Sequence, residues 1–458
     1  MVNLPPATRT ALSSWGNYPR EECELYRPAT SSEFEQVILH SPHTDIITRG
    51  RGRSYGDAAL NRNRGVVLSD PMNRILSFDV ESGILDCECG VSFAEILDHI
   101  LPRGYVLPIT PGTKHISLGG AIAADVHGKN HHRDGTISTQ LLDLRLLTAK
   151  GSILTCSREE NPDLFWATLG GMGLTGAILD ARLQLRPAES AYVDTSTRPC
   201  GDLDQALELM EAGDRDYEYS VAWIDCLARG RSLGRSVLLR ANPAPLEKLP
   251  PKLREKPFAI PRRLGLGVPF QMPSLLLNPF SMRLFNSAFF FAHRERRHIV
   301  DWQRYFYPLD SIAHWNRIYG KRGVLQYQLV LPSVTARQGL IEILEHTAAS
   351  GRASFLAVLK TTGPANASPL SFPIEGLSLA LDFPNTGPGL LDLLKDLDQM
   401  VLRHGGRVYL AKDSCLDPAD FKAMYPRLEE FRAVKARHDP ENRFSSSLSR
   451  RLQIVEAS

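Results

Sequence analysis

Long apolar runs are missing from this chain of 458 residues: no stretch of 18 consecutive apolar residues occurs, so the sequence offers no bilayer-spanning helix. An excess of one charge is missing as well. Lys plus Arg number 53 against 51 Asp plus Glu, and no global field draws the chain to nucleic acid. Cysteine is scarce. The seven cysteines are scattered and odd in number, which gives no disulfide framework and points to a reducing compartment. Cys87 and Cys89 form a Cys-x-Cys with no second pair, so no metal site is expected. The start, Met-Val-Asn-Leu-Pro-Pro, lacks a basic region followed by an apolar core, so no signal peptide is expected. The expected location is the cytoplasm or the inner-membrane surface, with the periplasmic face left open. Acid is absent locally too. From Lys256 to Arg294 there is no Asp or Glu, while Leu275 to Leu277, Phe280, Phe285, Phe289 to Phe291, Arg262, Arg263, Arg283 and Arg294 crowd the tract. Apolar plus basic without acid suits an interfacial segment or a buried helical hairpin, too short in either case to span a bilayer.

What is present is glycine in specific places. Pro111 to His132 packs small residues from Gly119 to Ala124 and then polar ones: Asp125, His127, Lys129, Asn130, His131 and His132. Bare backbone beside small residues lets a phosphate or a flat heterocycle sit close; the alternative is a tight turn with satisfied histidines. Upstream, a strand at Asp45 to Thr48 runs into Arg49-Gly-Arg-Gly-Arg-Ser-Tyr-Gly-Asp57. Such a loop suits a diphosphate, with N–H groups wrapping it and guanidinium groups supplying opposite charge, or else is a basic surface turn. Gly171-Met-Gly-Leu-Thr-Gly176 matches G-x-G-x-x-G, yet a helix precedes it and a strand follows, the reverse of a dinucleotide fold.

The spacing predicts helices at 32–40, capped by Ser32 with Glu35, and at 92–101, closed by Gly104. Beyond Pro187, strand-like runs at 217–225, 324–331, 355–360 and 377–383 alternate with helices at 336–349 and 390–404. That pattern reads as an antiparallel sheet covered on one face, an α+β second part. Gln326 and Gln328 share one face of their strand, where they meet either sugar hydroxyls or water. A strand at 407–411 leads to Lys412, a candidate for cofactor contact or proton transfer, or an ordinary surface lysine.

Taken together, Gly50-Arg-Gly-Arg-Ser-Tyr-Gly-Asp57, Pro111-Gly-Thr113, Gly119-Gly-Ala-Ile-Ala123, Asp125-Val-His-Gly-Lys-Asn-His-His132, Leu325-Gln-Tyr-Gln328, Asp382-Phe-Pro384 and Ala411-Lys-Asp-Ser414 carry a resemblance over almost the whole chain. The chain resembles the decaprenylphosphoryl-β-D-ribose 2-oxidase family, which belongs to the vanillyl-alcohol-oxidase (PCMH) type of FAD enzyme. The resemblance implies an α+β fold with a two-part FAD domain, 1–190 and 409–458, around an inserted antiparallel-sheet substrate domain, 191–408. Non-covalent FAD is implied at Thr48, Arg49, Gly50, Arg51, Gly52, Arg53, Ser54, Tyr55, Gly56, Asp57, Ala58 and Gly112. The same cofactor is implied at Ser117, Leu118, Gly119, Gly120, Ala124, Asp125, Val126, His127, Ile178 and Tyr409. Lys412, Tyr55 and His127 are the implied catalytic set, and Lys129, Gln326, Gln328, Lys360, Ala380, Asp382 and Lys412 the implied substrate contacts. The family oxidises the ribose 2-hydroxyl of a polyprenyl-phosphate sugar, and a partner NADH-dependent keto-reductase completes the epimerisation at a membrane surface. Familiar members carry cysteine two residues before Asp-Phe-Pro, where this chain has Ala380. Other readings are an FAD oxidase of a soluble alditol or aldonolactone, and a flavin-free binding module.

Overall fold

The computed structural model describes residues 4–261, 266–273, 277–352 and 356–455. Arg262, Arg263, Leu275 and Leu276 of the acid-free tract, and Phe355 at the start of an expected strand, lie outside the described residues.

The first 190 residues form two larger sheets and a two-stranded ladder pairing Tyr105–Val106 with Arg186–Pro187. One contains β1 (Thr8–Ser13), β2 (Arg20–Tyr26), β3 (Ile46–Arg49) and β4 (Gly65–Leu68) in the order β1-β2-β4-β3, with β2, β4 and β3 parallel. A parallel pair needs a crossover, and helix α1 (Ser31–His40) supplies it, burying Phe34, Val37 and Ile38. Its cap corrects the sequence reading. Thr30, still extended, accepts the N–H of Glu33, and helical backbone begins at Ser31, so Ser32 lies too far inside to cap. The second sheet is antiparallel: β5 (Ile75–Asp79), β6 (Ile84–Glu88), β7 (Leu141–Leu147), β8 (Ile153–Ser157) and β9 (Ala177–Gln184), ordered β5-β6-β9-β7-β8. Helix α2 (Phe93–Ile100) forms within the expected 92–101 span and carries a Ser92–Glu95 capping box, and the short α3 (Leu118–Ala123) holds the small-residue stretch. Helix α4 (Pro162–Thr168) enters the Gly171–Gly176 turn from the helix side, and β9 leaves it. This is not a dinucleotide fingerprint.

The remainder is one eight-stranded sheet made of β10 (Tyr192–Cys200), β11 (Tyr219–Ile224), β12 (Ser236–Pro243), β13 (Arg296–Asp301), β14 (Val324–Pro332), β15 (Ala357–Thr362), β16 (Gly376–Pro384) and β17 (Arg407–Val408). Every neighbouring pair is antiparallel in the order β13-β10-β12-β11-β15-β16-β14-β17. Helix α5 (Pro279–Ala292) lies in the acid-free tract. Helices α6 (Ser333–Ser350) and α7 (Pro388–Arg403) cover one face, packing on β14. The other face meets the glycine loops. The expected strand at 407–411 is shorter than the sequence suggests. After Val408 the chain turns, and the N–H groups of Lys412 and Asp413 donate back to the Tyr409 carbonyl at 2.9 and 3.0 Å. The last fifty residues return to the first sheet, where Ile46 pairs with Phe444.

Candidate active site

A cavity of about 770 Å³ lies between the glycine loops and the uncovered face of the large sheet. Two loops meet at its wall: a Cβ on Gly50 would stand 2.0 Å from the Ser117 Oγ, so only glycine allows the contact. A Cβ on Gly112 would meet nothing within 4 Å and would project into open space. Arg51, Gly52, Arg53 and Ser54 line the cavity, and their backbone N–H groups donate to no described residue. A run of bare donors is what a diphosphate engages. The loop's arginines divide their tasks. Arg49 is spent on the carbonyls of Ser13 and Ala59, at 2.7 and 3.2 Å, and Arg51 pairs with Glu95 at 3.3 Å. Arg53 stacks on Trp15 at 4.0 Å and keeps a buried, unpartnered Nε.

The sheet supplies the opposite wall through alternate residues of neighbouring strands. Gln326 and Gln328 of β14 face Asp382 and Ala380 of β16 across the ladder. The Gln328 amide reaches His127 Nε2 at 3.1 Å and Ser378 Oγ at 3.2 Å, and the Gln326 amide donates to Asp382. The amides therefore serve the cavity rather than bulk water. Lys412 places its Nζ 4.4 Å over the Tyr55 ring, and the Tyr55 N–H donates to Ala411 at 3.0 Å, tying the loop to the lysine turn. Lys129 donates to the carbonyls of Tyr305 and Phe306 and sits 4.3 Å from the Tyr305 ring centre.

Burial sets the charges. It pushes Lys360 down to about 7, with Lys412 adding to the fall, and Lys129 down to about 7, with Lys360 adding. Lys412 falls to about 8 by burial, with Asp382 pulling back. Asp382 itself rises to about 6, because it is fully enclosed. Burial drives Tyr55 well above 10, and it drives His127 well below 6.5, with Lys360 next in effect. His127 is thus neutral, and its Nε2 accepts from Gln328. Three lysines around one cavity, with the Asp382 carboxyl behind them and Asp310 engaged by Thr113 and the Lys114 N–H, make an anion-seeking site.

Of the residues expected to touch cofactor or substrate, Arg49, Gly56, Asp57, Leu118, Asp125 and Asp382 do not line the cavity; all the others do. Each of the six has another task. Arg49 anchors its own loop, Leu118 is core, and Gly56 leaves room for the Asp413 carbonyl, 1.5 Å from where a Cβ would stand. Asp57 shares Arg451 with Asp413, at 2.7 and 2.8 Å. Asp125 is fully buried and accepts from Asn366 at 2.6 Å and Ser371 at 2.5 Å. Asp382 stands behind Gln326 and accepts also from Tyr319 at 3.4 Å. The cavity also takes in Phe289 of the acid-free tract, together with Trp15, Trp223 and Asp310, which the sequence did not single out. Asp310 fixes the Gly112 loop by accepting from Thr113 Oγ1 and the Lys114 N–H, at 2.8 and 2.9 Å. The alternation of Val221 and Trp223 was the one available signal for that part of the wall.

Glycine loops with bare donors, open space where a Gly112 side chain would be and an unpartnered Arg53 Nε fit FAD, and the fold is that of an FAD-dependent oxidoreductase. Residues 25–157 match the family model "FAD binding domain", and residues 385–452 match "D-arabinono-1,4-lactone oxidase". A decaprenylphosphoryl-β-D-ribose oxidase of Mycolicibacterium smegmatis is 36% identical over 98% of this chain and 99% of its own. An uncharacterised protein of Streptomyces coelicolor is 35% identical over 80% of this chain and 100% of its own. An L-gulonolactone oxidase of Scyliorhinus torazame is 29% identical over 43% of this chain and 46% of its own. The chain belongs to the decaprenylphosphoryl-β-D-ribose oxidase family.

Proposed function

We propose that the protein oxidises the ribose 2-hydroxyl of a polyprenylphosphoryl-β-D-ribose to the 2-keto sugar, the first half of an epimerisation to the arabinose donor of cell-envelope glycans. One observation carries this reading: a glycine cradle and three half-buried lysines line the same cavity, so a cofactor diphosphate and a second, phosphate-bearing ligand both have opposite charge to meet.

Bound in the cradle, FAD supplies the acceptor for the hydride that leaves the sugar C2. The residues do the rest. Gln326 and Gln328 orient the hydroxyls, and Lys360 meets the phosphate. As the C2–H and O–H bonds break and a C=O bond forms, the hydroxyl proton passes to Lys412. Its free base is substantially present near pH 8, which suits it to the task better than the other two candidates. Tyr55 stays protonated and cannot serve as the base, and His127 has its Nε2 engaged by Gln328. On this reading FAD is held without a covalent bond, since His131 and His132 are not among the cavity-lining residues and turn instead to the backbone of Gly363 and Tyr217.

The 2-keto product then passes to an NADH-dependent keto-reductase. The enzyme meets its lipid at a membrane surface through α5, where Phe280, Leu284 and Phe291 are 76, 63 and 72% exposed within the acid-free tract Lys256 to Arg294. No helix among the described residues is long and apolar enough to cross a membrane.

A second reading, oxidation of a soluble alditol or aldonolactone, is favoured by the lactone-oxidase match at 385–452. That segment builds α7, the Lys412 turn and the C-terminal helices, but not the glutamine and lysine strands of the sheet. Anaerobic addition of polyprenylphosphoryl-ribose to the FAD-loaded protein, followed by loss of the visible flavin band, separates the two. Bleaching by the lipid-linked sugar alone supports the first reading; bleaching by soluble polyols or lactones alone replaces it with the second.

A further inference from the structure

Across the cavity face of the large sheet, the side chains change character in strand order. At the Lys412 end, β14, β16 and β15 present Gln326, Gln328, Ser378 and Lys360. The next strands outward are apolar. Val358 of β15, Val221 and Trp223 of β11 and Leu239 of β12 line the same cavity, and α5 adds Phe285 and Phe289. The Trp223 and Phe289 rings lie 4.5 Å apart between centres. At the outer edge the wall turns polar again, with Thr195 and Thr197 of β10 and Arg296 and His298 of β13.

A single cavity lined polar, then apolar, then basic is the complement of an amphiphile with a charged head and a long tail. We infer that the first few prenyl units of the substrate lie across β15, β11 and β12, and that Trp223, Leu239 and Phe289 there set the chain-length preference. The inference rests on the proposed lipid-linked substrate. From β16 to β10 is four strand spacings in the sheet order, or ~19 Å at ~4.8 Å per strand. An extended prenyl chain advances ~5 Å per unit, four bonds of ~1.5 Å in zigzag, so about four units cross the apolar stretch. Longer tails leave past His298 and Arg296 and gain no further apolar wall.

The test uses the FAD-loaded full chain and polyprenylphosphoryl-riboses of two, three, five and ten units, with kcat/KM read from flavin reduction. We expect kcat/KM to rise ~tenfold or more from two units to five and to level off from five to ten. Trp223→Ala and Phe289→Ala, on separate elements, should each shrink the five-to-two ratio at least ~fivefold; flavin absorbance and a melting curve certify the fold of each. A ratio that is flat, one that keeps climbing to ten units, or variants that slow every length equally would overturn the channel while leaving the reaction intact. Flavin that stays oxidised with every length would remove the substrate reading itself, and the channel with it.

Discussion

Raising the pH from about 6 to about 8 should change how many protons the protein takes up when a phosphodiester enters the cavity, and Lys360 should dominate that change. Its ammonium donates no hydrogen bond to a described residue, and burial has brought it down to about 7. At pH ~8 such a group is ~90% neutral; an anion alongside restores it toward its ordinary value of ~10.4, so binding draws in ~0.9 proton. Lys412 faces the sugar hydroxyl rather than the phosphate and keeps its free base there, so it adds little. Lys129 already rests on the Tyr305 and Phe306 carbonyls and contributes little. The expected uptake is therefore ~0.9 proton at pH ~8 and ~0.1 at pH ~6, and affinity falls by close to tenfold per pH unit above 8. A phosphate esterified on both sides keeps one charge throughout, so the counted protons belong to the protein. The assay is titration calorimetry in two buffers of different ionisation enthalpy, using a 2-deoxy analogue that cannot be oxidised at that carbon. Lys360→Met should abolish most of the uptake at pH ~8. Equal uptake at both pH values, or a Lys360→Met protein with wild-type uptake, would refute the reasoning.

Other changes probe other parts of the site. Lys412→Ala should retain FAD yet slow flavin reduction by ~10²–10⁴ in stopped flow; wild-type speed would remove Lys412 as the base. Gly112→Ala meets no protein atom, so the stripped protein should melt like wild type while holding FAD more weakly, as followed by flavin fluorescence. Asp398, which accepts from the Tyr327 hydroxyl at 2.7 Å, is pushed up to about 8, mainly by burial. Unfolded, it titrates near ~4; between ~4 and ~8 the folded chain keeps a proton the unfolded chain has lost, so stability falls as pH rises through that window. Asp398→Asn should accordingly match wild type near pH ~4 and exceed it by a few kcal/mol above pH ~8, as melting curves at the two pH values will show. Ala380 faces the cavity opposite Gln328, so Ala380→Cys should gain a cavity thiol, with iodoacetamide labelling above the wild-type background that substrate suppresses.

The glycine loops were legible because their signal is local: a glycine that must touch Ser117, or leave a gap at residue 112, declares itself within a few residues. The polar strand Val324–Pro332 was legible through its alternation. Strands β10 and β13 were not. Their cavity faces carry Thr195, Thr197, Arg296 and His298, which read as loop or surface until the sheet is assembled. The acid residues misled for the same reason. Asp57, Asp125 and Asp382 sit inside site motifs, yet their partners Arg451, Asn366 and Tyr319 lie far along the chain, where no spacing rule reaches.

The Arg451 bridge has a consequence for how the molecule comes into being. Asp57 and Arg451 are 394 residues apart, and Ile46 and Phe444 slightly farther. A cradle built by residues 46–57 is thus latched by residues 444–451. During synthesis the nucleotide-holding loop waits, unlatched, until that distant segment has been made. Such high contact order predicts slow refolding, and makes the intact chain, rather than its amino-terminal third, the smallest unit that closes this cradle.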